Sequence, residues 1–104
     1  MFSNYDELQT YSTTNPNKLI VLNFKAPWCG PCKAIKPFVD YLIENYPNVI
    51  FMAIDIEDEE LTSITEKFEI MRVPSFIYIK NGSVCDSIIG TNKQDIENAI
   101  NDNL

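Results

Sequence analysis

The chain has 104 residues, 45% of them hydrophobic, which suits one modest core and a single domain spanning residues 1–104. Its net charge of −7 argues against nucleic acid or an anionic membrane surface as a partner, and no stretch reaches the ~18 consecutive apolar residues of a membrane helix. Histidine is absent, which removes the commonest metal ligand and the commonest neutral-pH general base, and with them triad-type hydrolysis and His-rich metal sites.

The first residues, Met1 to Glu7, lack the basic start and apolar run of a secretory signal, so a cytosolic or nuclear setting is expected. Ser3 to Tyr11 predicts a short helix, with Ser3 as its cap and Asp6 and Glu7 suiting its N-terminus. Leu19 to Leu22 with Phe24 is a nearly continuous apolar run, the pattern of a strand covered on both faces. A helix then starts near Cys29, with Ile35, Phe38, Val39, Leu42, Ile43 and Tyr46 at helical spacing. Pro37 falls inside it and should kink it. Val49 to Ile54 reads as a second strand covered on both faces.

The acidic run Glu57-Asp58-Glu59-Glu60 suits a helix N-terminus. Ser63-x-x-Glu66 carries a capping-box pattern for a helix reaching Phe68, although Asp58 could start it earlier. Phe76 to Ile79 is the third strand, leading into Asn81-Gly82, a two-residue hairpin turn in which both positions need φ > 0. Val84 to Ile89 should return antiparallel. Thr91-x-x-Gln94 opens a last helix with Ile96, Ala99 and Ile100 on one side. Strand–helix–strand units predict parallel crossovers and the hairpin an antiparallel edge. The class is α/β, a mixed central sheet flanked by helices on both faces.

Cys29 and Cys32 stand two residues apart at the start of the second helix. Helical N–H groups without intrahelical partners, and the helix dipole, favour a thiolate at Cys29 and make it the better nucleophile if it is accessible. Cys32, one turn on, should be more shielded and suited to resolving a mixed disulfide. Gly30 and Pro31 fit a tight strand-to-helix junction. A tetrahedral metal site wants four ligands, and Cys85 would be a third at best, so no metal is expected within one chain, though a metal bridged by two subunits stays open. A permanent disulfide would close only a tiny loop and constrain little of the unfolded chain. Reversible redox exchange is the reading the spacing favours. Cys85 itself reads as a small apolar filler, with oxidation or dimerisation as the alternative.

Trp28-Cys29-Gly30-Pro31-Cys32-Lys33 resembles the active-site segment of the thioredoxin family at every position. Pro37 matches the proline of that family's active-site helix, Val73-Pro74-Ser75 resembles its Ile/Val-Pro-Thr segment, Lys80-Asn81-Gly82 its hairpin and Ile89-Gly90 its groove glycine. The resemblance spans roughly residues 15–104. It implies the thioredoxin fold and a protein-disulfide reductase in which Cys29 attacks and Cys32 resolves. It also implies a cis Pro74 facing the cysteines, and Trp28, Val73, Pro74, Ile89 and Gly90 lining a groove for an extended substrate segment. No cofactor is expected beyond the reversible Cys29–Cys32 disulfide. The implied partners are disulfide-containing proteins and an NADPH-dependent flavoprotein, thioredoxin reductase, which would recycle a monomeric cytoplasmic protein.

Some residues depart from the family pattern. Asn23 occupies the position of a usual buried aspartate, and Ala53 one that often carries a charge, so both members of a buried ionisable pair are missing together. Losing one alone would strand a charge in the core, whereas losing both can be neutral. Lys25 replaces a frequent aromatic residue and Pro27 also departs. Lys25, Lys33, Lys36 and Arg72 are expected to form a basic rim around the cysteines. The stretch from Asp55 to Pro74 is about two residues longer than usual, and the family's first strand should be reduced to Phe2 or absent.

Overall fold

A computed structural model describes residues 1–104. The elements run α1 (Tyr5–Thr14), β1 (Ile20–Lys25), α2 (Gly30–Asn45), β2 (Ile50–Asp55), a 3₁₀ turn (Glu59–Leu61), α3 (Thr62–Lys67), β3 (Ser75–Lys80), β4 (Ser83–Ile89) and α4 (Lys93–Asp102). The four strands form one sheet in the order β2-β1-β3-β4. Only β1 and β2 are parallel; β1 with β3 and β3 with β4 are antiparallel.

The second strand–helix–strand connection thus departs from the parallel crossover expected of it. α3 has only six residues, about 9 Å of helix, and does not run the length of the sheet. The chain therefore re-enters the sheet at the end where β2 leaves it. That end is the one at which β1 runs into Cys29, so Pro74 arrives beside the cysteines.

Alternation along β1 supplies both faces. Leu19 and Val21 pack with Ile35, Val39 and Leu42 of α2, Phe76 and Tyr78 of β3, and Ile96, Ala99 and Ile100 of α4. Ile20, Leu22 and Phe24 pack on the other side with Leu8 of α1, Ile64 of α3 and Phe2. The central strand is covered on both faces, as its apolar run predicts. β2 is not: it lies at the sheet edge, and Ala53 is exposed. No strand precedes α1, and Phe2 instead packs its ring against Tyr11, centroids 5.4 Å apart.

Two helix starts differ from the sequence expectation by one residue, because the adjacent asparagine makes the capping bond, while the third takes the earlier start at Asp58. Asn4, not Ser3, caps α1 by accepting from the Glu7 N–H at 2.9 Å. Asn92, not Thr91, caps α4 through the Asp95 N–H. Asp58 caps the 3₁₀ turn that flows into α3, while Ser63 turns away to accept from the Tyr5 N–H at 3.1 Å and ties α1 to α3. α2 runs through Pro37 without a break and ends one residue before Tyr46, which caps it.

The hairpin turn has φ of 50° at Asn81 and 77° at Gly82, the positive values its sequence demands. It is also clamped by α1: the Gly82 N–H donates to Ser12 Oγ at 2.7 Å, and Gln9 Nε2 donates to the Gly82 carbonyl at 3.0 Å. A Cβ on Gly82 would lie 2.7 Å from Thr13 Cγ2. Gly82→Ala should therefore lower the unfolding free energy by about 1–3 kcal/mol, read from the urea midpoint, through strain at positive φ and the lost clamp. An unchanged midpoint would refute the clamp.

Candidate active site

β1 delivers the chain to Ala26, whose carbonyl accepts from the Cys29 N–H at 3.1 Å and turns it into α2. Cys29 is the N-cap of that helix in extended conformation, and Pro31 occupies its first turn, where a missing N–H costs no helical bond. The Cys29 sulfur accepts the Cys32 N–H at 3.1 Å, the place a serine or aspartate oxygen takes in an ordinary cap. Cys29 and Cys32 form a disulfide, Cα atoms 5.3 Å apart. The helix N-terminus favours negative charge on the capping sulfur once the bond is reduced.

The expected difference in shielding is not present in this disulfide state. Cys29 is 3% exposed and Cys32 8%, because each sulfur covers the other and Ala26, Ile56 and Val73 pack around the pair. The asymmetry between the two thiols lies in the helix terminus.

Around the pair, the sequence-predicted groove residues converge. The Val73–Pro74 peptide is cis, and Val73 packs against the cysteines. Trp28 and Ile89 are exposed, at 66% and 64%. Gly90, at φ 106°, donates its N–H to the Pro74 carbonyl at 2.9 Å. That bond occupies the backbone group nearest the cis proline. The amide and carbonyl of Val73 make no hydrogen bond within the chain. Gly30 has no atom within 4 Å of where its Cβ would stand, so it is free of steric demand.

Glu57 belongs to the site and was missed by sequence reasoning, which assigned its acidic run to a helix start. Asp58 does serve that start, but Glu57 accepts from the Trp28 indole N–H at 2.7 Å. The signal was available in the parallel register: Lys25 pairs with Asp55, so the residues just beyond the two strand ends meet.

Asn23 and Ala53 are direct register partners, as the loss of a paired set implies. The Asn23 Oδ1 is buried without a hydrogen-bond partner. Beside it opens a cavity of about 370 Å³ reached by Cys32, Lys25, Lys33, Lys36, Asp40 and Asp55. Three of the four cations expected in a basic rim thus gather on one side of Cys32. Arg72 does not join them; it borders a separate groove with Met71 and Ile89. No three of the Cys, Asp or Glu side chains come together as a metal site.

The family model described as Thioredoxin matches residues 3–102. The chain belongs to the thioredoxin family. A curated thioredoxin from Homo sapiens is 41% identical over 86 residues, 83% of this chain and 80% of the human protein. An H-type thioredoxin from Populus jackii is 39% identical over 83 residues, 80% of this chain but only 58% of the poplar protein. The solved thioredoxin of Fasciola hepatica superposes with a TM-score of 0.86 at 29% identity, covering 98% of this chain and 96% of that one. The fold is therefore the thioredoxin fold, and the cysteine pair is placed as a redox-active C-x-x-C.

Cys85 stands apart from this thioredoxin site. It is exposed on the edge strand β4, not the buried filler its composition suggested, and its sulfur donates to the Tyr78 carbonyl at 3.4 Å. Partial desolvation of that sulfur pushes its thiol pKa up, and the Asp86 charge adds to this. Alkylation of Cys85 in the oxidised protein, followed by intact mass against pH, should have its midpoint above that of a free cysteine. A midpoint below it would contradict the assignment.

Proposed function

We propose that this chain is a protein-disulfide reductase working by dithiol–disulfide exchange, with Cys29 as nucleophile and Cys32 as resolving thiol. The capping of α2 by the Cys29 sulfur carries this reading. The Cys29 thiolate attacks a partner disulfide, and one partner sulfur leaves. Cys32 then attacks the Cys29 sulfur, the second partner sulfur leaves, and the chain is left as the disulfide seen here. Two electrons pass to the partner in each cycle.

The partners are disulfide-containing proteins presenting an extended segment. Such a segment lies across Trp28, Ile89, Gly90 and Val73, and pairs with the open Val73 backbone beside Pro74. The Glu57 carboxylate holds the Trp28 indole in place at the rim. Lys33, one residue past Cys32, adds positive charge near the developing thiolates. A thioredoxin reductase, spending NADPH through a flavin, restores the dithiol. Residues 1–104 act as one domain and as a monomer in the cytoplasm, as part of cellular redox homeostasis and electron transport to oxidised proteins. No helix is long and apolar enough to cross a membrane.

An insulin-disulfide reduction assay with NADPH and a thioredoxin reductase tests the reading. Cys29→Ser should abolish turnover, by a factor of at least about 10³. Cys32→Ser should instead accumulate a mixed disulfide with the partner, visible by intact mass. Turnover that survives Cys29→Ser would refute the assignment.

A further inference from the structure

Alternation along the two parallel strands sets which side chains face α2. Val21 and Phe51 pack on the face that meets Val39 and Leu42, so the residues two and four further along face the same way. Those are Asn23 and Lys25 on β1, and Ala53 and Asp55 on β2. Asn23 lies beside Ala53, and Lys25 beside Asp55 one step nearer the cysteines. The short Ala53 side chain leaves the cavity open, and Cys32 reaches into it.

The resolving step needs the Cys32 thiol to lose its proton as it attacks. Asn23 cannot accept one, since an amide does not titrate. Two carboxylates border the same cavity. Asp40 is held by Lys36 at 2.8 Å in an exposed pair, both side chains more than half solvated. Asp55 uses Oδ1 to accept the Glu57 N–H at 2.8 Å, which fixes the side chain at the cavity margin and leaves Oδ2 without that bond.

We propose that Asp55 accepts the Cys32 proton during resolution, through solvent in this cavity. The proposal rests on Cys32 being the resolving thiol. The groups facing Asp55 are Lys25 from β1, and Lys33, Lys36 and Asp40 from α2, with Glu57 beside it on its own segment. The lysines stabilise the thiolate that forms as the proton leaves. As the S–H bond breaks, the proton passes through water to Asp55 Oδ2. The sulfur electron pair forms the bond to the Cys29 sulfur while the Cys29–partner bond breaks. The partner leaves as a thiolate, and Asp55 returns its proton to solvent.

Rapid mixing of the reduced Cys85→Ser protein with one equivalent of 4,4′-dithiodipyridine separates the steps, since the exposed Cys85 would otherwise release thiopyridone of its own. The first equivalent of thiopyridone reports attack by Cys29 and the second reports resolution by Cys32. In Asp55→Asn the second phase should slow about tenfold or more near pH 6.5. It should rejoin the wild-type rate above about pH 9.5, where bulk solvent deprotonates the thiol. The first phase should change less than the second, and Asp55→Glu should restore most of the second. An equal second phase near neutrality overturns the proposal, as does a slowing independent of pH, or a larger effect of Asp40→Asn. A Cys85→Ser protein with Asp55 intact that releases only one equivalent would instead refute the exchange reading itself.

Discussion

A helix closed by a sulfur, where an oxygen is usual, is the contact on which the rest of this molecule depends. The bond from the Cys32 N–H to the Cys29 sulfur opens α2, places the two cysteines one helical turn apart and aims the positive helix terminus at one of them. Every other feature of the site serves that contact. β1 runs, buried on both faces, straight into it. The chain re-enters at the same end of the sheet, so that Val73 packs against the pair. Neither cysteine is distinguished by exposure in the disulfide state. Their roles differ because one caps the helix and the other lies inside it.

The substitutions around that contact change its proton chemistry more than its shape. Asn23 and Ala53 sit opposite one another, so no ionised side chain is buried unpaired between β1 and α2. What remains is a solvent-accessible cavity with three lysines and two aspartates at its margin, against the sulfur that must lose a proton. A buried titrating group is thus replaced by a wetter, mixed-charge lining. Charge near the reacting sulfur is then supplied from the rim.

Much of this was legible in the sequence, and the failures are physical. The central strand, the active-site helix and the Asn81-Gly82 turn were clear, because each is specified locally by apolar spacing or by a backbone conformation few residues tolerate. The C-x-x-C and the prolines at 31, 37 and 74 carried the site. Helix caps shifted by a residue wherever two oxygen-bearing side chains competed, as at Ser3 and Asn4. The direction of β3 was misread because strand–helix–strand order alone does not reveal at which end of the sheet the chain re-enters. The coverage of β2 was misread because an apolar run looks the same at an edge as in the centre. Glu57 was invisible as a site residue, since Trp28 meets it only where the two parallel strands end side by side. Cys85 looked like core because composition does not say which face of an edge strand a side chain takes.

The most direct test of the account is to reduce the protein, treat it with a limiting amount of iodoacetamide near neutral pH, and locate the label by fragmentation. If the α2 terminus sets the chemistry, the label falls predominantly on Cys29, with Cys32 and Cys85 largely free. Preferential labelling of Cys32, or equal labelling of the pair, would mean that the helix terminus does not select the nucleophile and would contradict the account at its centre.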